Sequence, residues 1–154
     1  MVAARNNMHA TFMPKPLYGE NGSGMHVNQS LSRGDANAFF EPDDDLQLSE
    51  AAYGYIAGLL EHLPAVMAFT APSPNSYQRL APGLWASAFA AYGLDNREAA
   101  IRLASPVAGR EAATANVEIK PVDVTSNPTW PWPSSSPPGW TGWTATSTPA
   151  GRRW

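Results

Sequence analysis

The sequence predicts an α+β fold, and three observations carry the prediction. Short segments at 25–31, 99–103 and 116–120 are apolar or alternate polar with apolar residues, as strands do. Between them Ala52, Ile56, Leu59, Leu60 and Leu63 recur at helical spacing. Prolines and glycines punctuate the stretches that join these segments, and no internal repeat is visible.

Taken in order, residues 9–16 read as a strand that stops at Pro14 and Pro16, because proline removes a ladder donor. A glycine turn, Asn21-Gly22-Ser23-Gly24, follows and runs into Met25-His26. From His26 the strand period of two puts His26, Asn28 and Ser30 on one face and Val27, Gln29 and Leu31 on the other. One face is equipped for ligand chemistry and the other mostly for packing. Residues 32–47 read as a polar loop. Its run Asp43-Asp44-Asp45 lacks the spaced oxygens and closing glutamate of a calcium loop, so a solvated loop is expected. Ser49 is placed to cap a helix, and Glu50 suits the positive end of the helix dipole. Gly54 and Gly58 weaken this helix by roughly 1 kcal/mol each, so packing must hold it; Pro64 ends or kinks it. A second helix is expected from Trp85 to Leu94, then short strands at 99–103 and 116–120.

A chain of 154 residues suits one domain with a modest core. A net charge of −3 with 15% charged residues leaves no footprint for nucleic acid or an anionic membrane. Without cysteine there is no disulfide framework and no thiolate metal site. No apolar run reaches the ~20 residues that span a bilayer, and residues 1–7 lack the apolar stretch of a secretory signal. A cytoplasmic protein with no nucleic-acid or membrane partner is expected.

Four motifs place charge beside apolar anchors: Asn21–His26, then Asn75-Ser76-Tyr77-Gln78-Arg79-Leu80, then Asn96-Arg97-Glu98-Ala99-Ala100-Ile101-Arg102, then Val117-Glu118-Ile119-Lys120. With Ala10-Thr11-Phe12-Met13-Pro14-Lys15-Pro16 ahead of them, the ordered set resembles the catalytic domain of the glutamine synthetase family from about Ala10 to Pro128. The resemblance implies that residues 1–128 are part of a catalytic α/β barrel, a curved sheet with flanking helices, incomplete at both ends. It implies an ATP-dependent ligase that joins glutamate to ammonia or a small amine through γ-glutamyl phosphate, with two divalent ions, Mg²⁺ or Mn²⁺. It also implies homo-oligomeric rings. The family's N-terminal domain and the first half of its catalytic domain have no counterpart here, so the chain is expected to be inactive alone.

Residue by residue, the resemblance makes His26 and Glu118 metal ligands; without it, His26 reads as a satisfied ring and Glu118 as an exposed strand carboxylate. An imidazole with a carboxylate suits a hard divalent ion. Arg79, Arg97 and Arg102 read alone as surface arginines. In motif context Arg79 binds the glutamate carboxylate, Arg97 and Arg102 face the nucleotide phosphates, and Arg79 and Arg97 are the candidate catalytic residues. Guanidinium forks match such anions. Asn21 and Gly22 match the turn that contacts glutamate, and Ser30 matches a nucleotide-side contact. Lys120 stands where the family contacts substrate with arginine, losing the bidentate fork. Asn28 replaces a second histidine, and Asn116 a basic residue. The family's metabolic members carry Tyr-Glu-Ala-Pro after Pro-Gly, where this chain has Leu84-Trp85-Ala86-Ser87. Loss of that proton-accepting glutamate points toward the γ-glutamylamine branch.

Residues 129–154 differ in kind. They hold no Leu, Ile, Val, Phe, Met or acidic residue, but Trp130, Trp132, Trp140, Trp143 and Trp154. Such a composition cannot supply a periodic core, and disorder is expected. A shift of one base in a GC-rich gene would turn the family's apolar helix after Ser-Asn-Pro into Thr129-Trp130-Pro131-Trp132-Pro133. A frameshift at Thr129 is therefore expected. The alternative is a non-catalytic module whose Trp/Pro tail docks in an aromatic-lined groove.

Overall fold

The computed structural model describes residues 2–127. The expectations for the Trp/Pro tail lie outside them. In chain order the elements are α1 (Val2–Arg5), β1 (Val27–Gln29), β2 (Ser32–Arg33), β3 (Ala36–Asn37), α2 (Glu50–Glu61), α3 (Leu63–Thr70), α4 (Pro74–Arg79), β4 (Phe89–Leu94), β5 (Ala99–Leu103), α5 (Glu111–Thr114) and β6 (Val117–Ile119). Helices and a mixed sheet make this an α+β arrangement. The main sheet runs β1-β6-β5-β4, antiparallel except for the parallel β4–β5 pair. It is open among the described residues, with β1 and β4 at its edges.

Strand periodicity divides the sheet into two faces. Val27, Ile119 and Ile101 are register partners in one row, joined by Tyr92; Gln29, Val117, Leu103 and Leu94 form the next. Val117, Ile119, Ile101, Leu103 and Tyr92 are buried with Ala52, Ile56 and Leu59 of α2 in the core. The expected helix thus forms and packs on this face. Ser49 caps it with extended backbone, its side chain accepting the Ala52 N–H at 3.2 Å. The helix stops at Glu61, and Pro64 sits in the first turn of α3, where a missing N–H costs nothing.

Three expectations are corrected. Residues 9–16 form no strand; they run irregularly, with Phe12 and Met13 exposed and Pro14 and Lys15 buried. Lys15 and Asn75 tie this segment to α4 through Lys15 N–H to Asn75 Oδ1 and Asn75 Nδ2–H to the Lys15 carbonyl, both 2.8 Å. The stretch 85–94 is a turn followed by strand β4, not a helix. Its alanines carry helical propensity, but pairing with β5 overrides it. Within the loop at 32–47, β2 and β3 form a small hairpin. Its acidic run is used structurally: Asp44 Oδ2 accepts the N–H of Leu46 at 2.9 Å and the Tyr53 hydroxyl at 2.8 Å.

Candidate active site

The face opposite the core carries three of the candidate residues, His26, Glu118 and Arg102. Glu118 at the centre of β6 is in register with Asn28 on β1 and Arg102 on β5, and Gly93 on β4 continues the row. The alternation that points Val117 and Ile119 into the core therefore turns Glu118 to the other side. Its carboxylate is buried and both oxygens are engaged. His26 Nδ1 lies 2.8 Å from Oε1, and Arg102 Nη1 donates to Oε2 at 3.0 Å. His26, one step before β1, reaches the row diagonally. Arg102 is shared: Nε and Nη2 donate to Asp95 Oδ1 at 3.3 and 3.2 Å. Asp95 is held below the usual carboxylate range first by hydrogen bonds from Ser105, with Arg102 adding to them.

Arg79, at the end of α4, is buried behind the glycine turn. Nη2 donates to the carbonyl of Val122 at 3.0 Å and, more weakly, of Lys120 at 3.5 Å. Burial lowers its pKa, and the negative charge of fully buried Asp123 opposes that shift. Arg79 Nε and Asp123 Oδ2 have no hydrogen-bond partner among the described residues, so the two charges act through space. The turn is shaped to this guanidinium. A Cβ on Gly22 would stand 2.6 Å from the Pro14 carbonyl oxygen and 2.7 Å from Arg79 Cγ. One on Gly24 would stand 2.7 Å from Arg79 Nη1 and 3.5 Å from His26 Nε2. Gly24 thus keeps open the space between the buried guanidinium and the imidazole. Gly24→Ala is expected to lower stability by about 1–3 kcal/mol, the usual range for overpacking. Gly54→Ala, a helical site with nothing within 4 Å of an added Cβ, should raise it by about 1 kcal/mol. Urea denaturation of the two variants checks the contrast, and equal effects would refute it.

The third part is the loop 83–87. Gly83, Trp85 and Ser87 all have positive φ (78°, 54° and 56°). For the two non-glycine residues this costs on the order of 1–2 kcal/mol each. Contacts from the neighbouring segment 95–98 offset that strain. Glu98 Oε1 accepts the Trp85 N–H at 2.7 Å and Oε2 the Gly83 N–H at 3.2 Å. The Arg97 guanidinium lies 5.6 Å from the centre of the Trp85 ring, within cation–π range. Lys120 Nζ donates to the carbonyls of Trp85 and Arg97. Lys120 is buried, and that burial lowers its pKa, with the Glu118 charge opposing.

The structure brings His26, Glu118 and Arg102 into one hydrogen-bonded group, with Arg79 adjoining through Gly24 and Lys120 two residues beyond Glu118. Lys120 engages backbone carbonyls from a buried position. Arg97 is exposed beside Trp85; Asn21 and Ser30 are exposed on the glycine turn and just after β1. Gly24 and Glu98 lie inside motifs read from the sequence but had no role assigned to them, and Asp123 lies outside those motifs. Asp123 followed by Thr125 has a local turn signature, realised as Oδ1 accepting the Thr125 N–H at 2.9 Å. Its approach to Arg79 and the reach of Glu98 to Trp85 have no sequence signal.

As donors for a divalent ion, the imidazole of His26 and the carboxylate of Glu118 are of the right kind, and His26 Nε2 is turned away from the Glu118 contact. Their number is short of a cage: no three His, Cys, Asp or Glu residues converge among the described residues. The described residues thus gather the imidazole of His26, the carboxylate of Glu118 and the guanidinium of Arg102 on one face of the sheet, with the buried guanidinium of Arg79 reaching in from α4.

The family described as "Glutamine synthetase, catalytic domain" matches residues 1–129. Glutamine synthetase from Streptomyces filamentosus is 46% identical over 127 residues, covering 82% of this chain and 27% of the relative. The Thermotoga maritima glutamine synthetase is 51% identical over 102 residues, covering 66% of this chain and 23% of the relative. Among solved structures, a crystal structure of a novel glutamine synthase homolog overlays with a TM-score of 0.71 at 39% identity, covering 81% of this chain and 30% of that one. The Plasmodium falciparum glutamine synthetase overlays with a TM-score of 0.67 at 33% identity, covering 78% and 23%. The chain belongs to the glutamine synthetase family. It spans about a quarter of the length of the curated relatives it matches.

Proposed function

We propose that residues 1–128 are part of the catalytic domain of an ATP-dependent ligase that joins glutamate to ammonia or a small amine through γ-glutamyl phosphate. The observation that carries this reading is the Glu118 row, with His26 and Arg102 on its carboxylate and Arg79 beside it. In this reading Arg79 takes the glutamate carboxylate, with Asn21, Gly22 and Lys120 on the substrate side. Arg97, Arg102 and Ser30 take the nucleotide side. Phosphoryl transfer needs cations where charge accumulates on the moving group, and fixed guanidiniums supply them. His26 and Glu118 would hold Mg²⁺ or Mn²⁺, which neutralises phosphate oxygens when bound. Their count makes this half of a site, so the chain alone is proposed to be inactive. No helix among the described residues is long and apolar enough to cross a membrane. A cytoplasmic location is proposed as part of the same reading.

The open sheet is proposed to be a segment of the family's barrel, and the assembly a ring of identical subunits. Exposed Val2, Met8, Phe12, Leu17 and Tyr18 support both proposals. Such exposed large apolar residues within the first 18 positions are what a segment covered by further protein would present.

The test is a graft. The matched segment of the Streptomyces filamentosus relative is replaced by its counterpart from this chain. The graft is expected to assemble and to release phosphate from ATP only with glutamate and an amine or ammonium present. His26→Ala in the graft should reduce that rate at least about 100-fold, the scale set by loss of electrostatic stabilisation. An assembled graft with no glutamate-dependent turnover would overturn the proposal. The 154-residue chain itself should show none.

A further inference from the structure

We propose that Glu98 is a positioning residue that fixes the 83–87 loop, and that the Trp85–Arg97 platform it sets determines which amine reaches the site. The role in amine choice rests on the ligase reading above; the positioning does not. Three features of the structure converge on it. The loop is bent through left-handed backbone at Gly83, Trp85 and Ser87, a shape it will not hold unsupported. The two oxygens of one carboxylate take N–H groups on both sides of Leu84, so a single side chain defines the bend. Glu98 is itself fixed, because Asn96 Oδ1 accepts the N–H of Glu98 at 2.9 Å and of Ala99 at 3.1 Å. Lys120 fastens the carbonyl side of the same loop from the sheet. The consequence is an indole held in the open, 64% exposed, with one face against the Arg97 guanidinium. An exposed tryptophan held rigidly beside a cation offers apolar area to the carbon chain of an organic amine, and nothing comparable to a bare ammonium ion.

The experiment uses the full 154-residue chain labelled with 5-fluorotryptophan. Fluorine NMR gives one resonance per tryptophan, and Trp85→Phe identifies that of Trp85. Core packing is followed on the same samples through the methyl resonances of the buried Ile101 and Val117. Glu98→Ala is expected to move the Trp85 resonance toward the position of free fluorotryptophan while the core methyl groups stay in place. Glu98→Gln, which keeps one acceptor for the Trp85 N–H, should restore most of the shift. An unchanged Trp85 resonance in Glu98→Ala would overturn the proposal. So would collapse of the core methyl signals in both variants, because that is the mark of a residue acting on the whole fold. Failure of the ligase reading would leave these resonances untouched, so the two failures are distinguishable.

Discussion

Glu118→Ala is expected to lower the unfolding free energy of this chain by roughly 2 kcal/mol. Glu118→Gln should lower it by less than about 1 kcal/mol. The alanine variant removes the one acceptor that holds both His26 and Arg102 on the site face. Breaking a buried ion pair from one side usually costs about 3–5 kcal/mol, because a charge is left uncompensated in a dry interior. Here the cost is smaller for a structural reason. The His26 and Arg102 side chains are 37% and 31% exposed, so water reaches both, and Arg102 keeps Asp95. The glutamine variant keeps the shape and two hydrogen-bonding atoms. Its carbonyl can accept from Arg102, and its amide can donate to His26 Nδ1. Urea denaturation followed by circular dichroism gives both numbers. Equal losses for the two variants would mean that charge rather than hydrogen bonding holds the row. A loss within about 0.5 kcal/mol of zero for alanine would mean the row holds nothing.

The same row shows what the sequence reveals and what it hides. That Val117-Glu118-Ile119 alternates was enough to separate the carboxylate from the core face, and the structure keeps that separation across three more strands. Helix α2 was legible because its cap and its apolar stripe agree; local preference and tertiary packing point the same way. Strand β4 was not. Phe89-Ala90-Ala91-Tyr92 has a helix-like composition, and only its neighbour β5 makes it a strand. The short segment 95–98 then returns the chain to a parallel partner, where parallel pairs usually need a dozen residues or more. Asn96 makes the return compact: its N–H reaches the Gly93 carbonyl at 3.4 Å while its side chain takes the N–H groups of Glu98 and of Ala99, where β5 begins. Nothing in the local pattern announces such a connection.

The site divides along the same line. Residues carried by motifs were legible as candidates: His26, Glu118 and Arg102 form one hydrogen-bonded group on the sheet, and Arg79 adjoins it across Gly24. What the sequence could not supply is the support behind them. Asp123 lies far from Arg79 in sequence, and Gly24 matters because of a side chain that arrives from α4. Support of this kind is made by tertiary approach, which has no period and no spacing.

In the graft described above, kcat/KM is expected to be higher for an alkylamine, polyamine or amino alcohol than for ammonium. Trp85→Glu should move the ratio toward ammonium by at least about tenfold, a difference of about 1.4 kcal/mol. Ammonium is a small cation that must lose a proton before it attacks. A carboxylate at the loop attracts the cation and can accept that proton, and an indole does neither. Trp85 instead offers apolar area in the open, with Arg97 against its ring. Each methylene that an amine buries there contributes roughly 0.8 kcal/mol. Three methylenes would therefore favour the amine by on the order of fifty- to sixtyfold if fully covered, and by less where water keeps one side. Trp85→Glu supplies a carboxylate and removes the apolar area in one change. Trp85→Ala separates the two contributions: it should lose the amine preference without gaining turnover of ammonium. Equal or better turnover of ammonium by the unmutated graft would sink the amine reading and leave plain glutamine synthesis as the activity of this site.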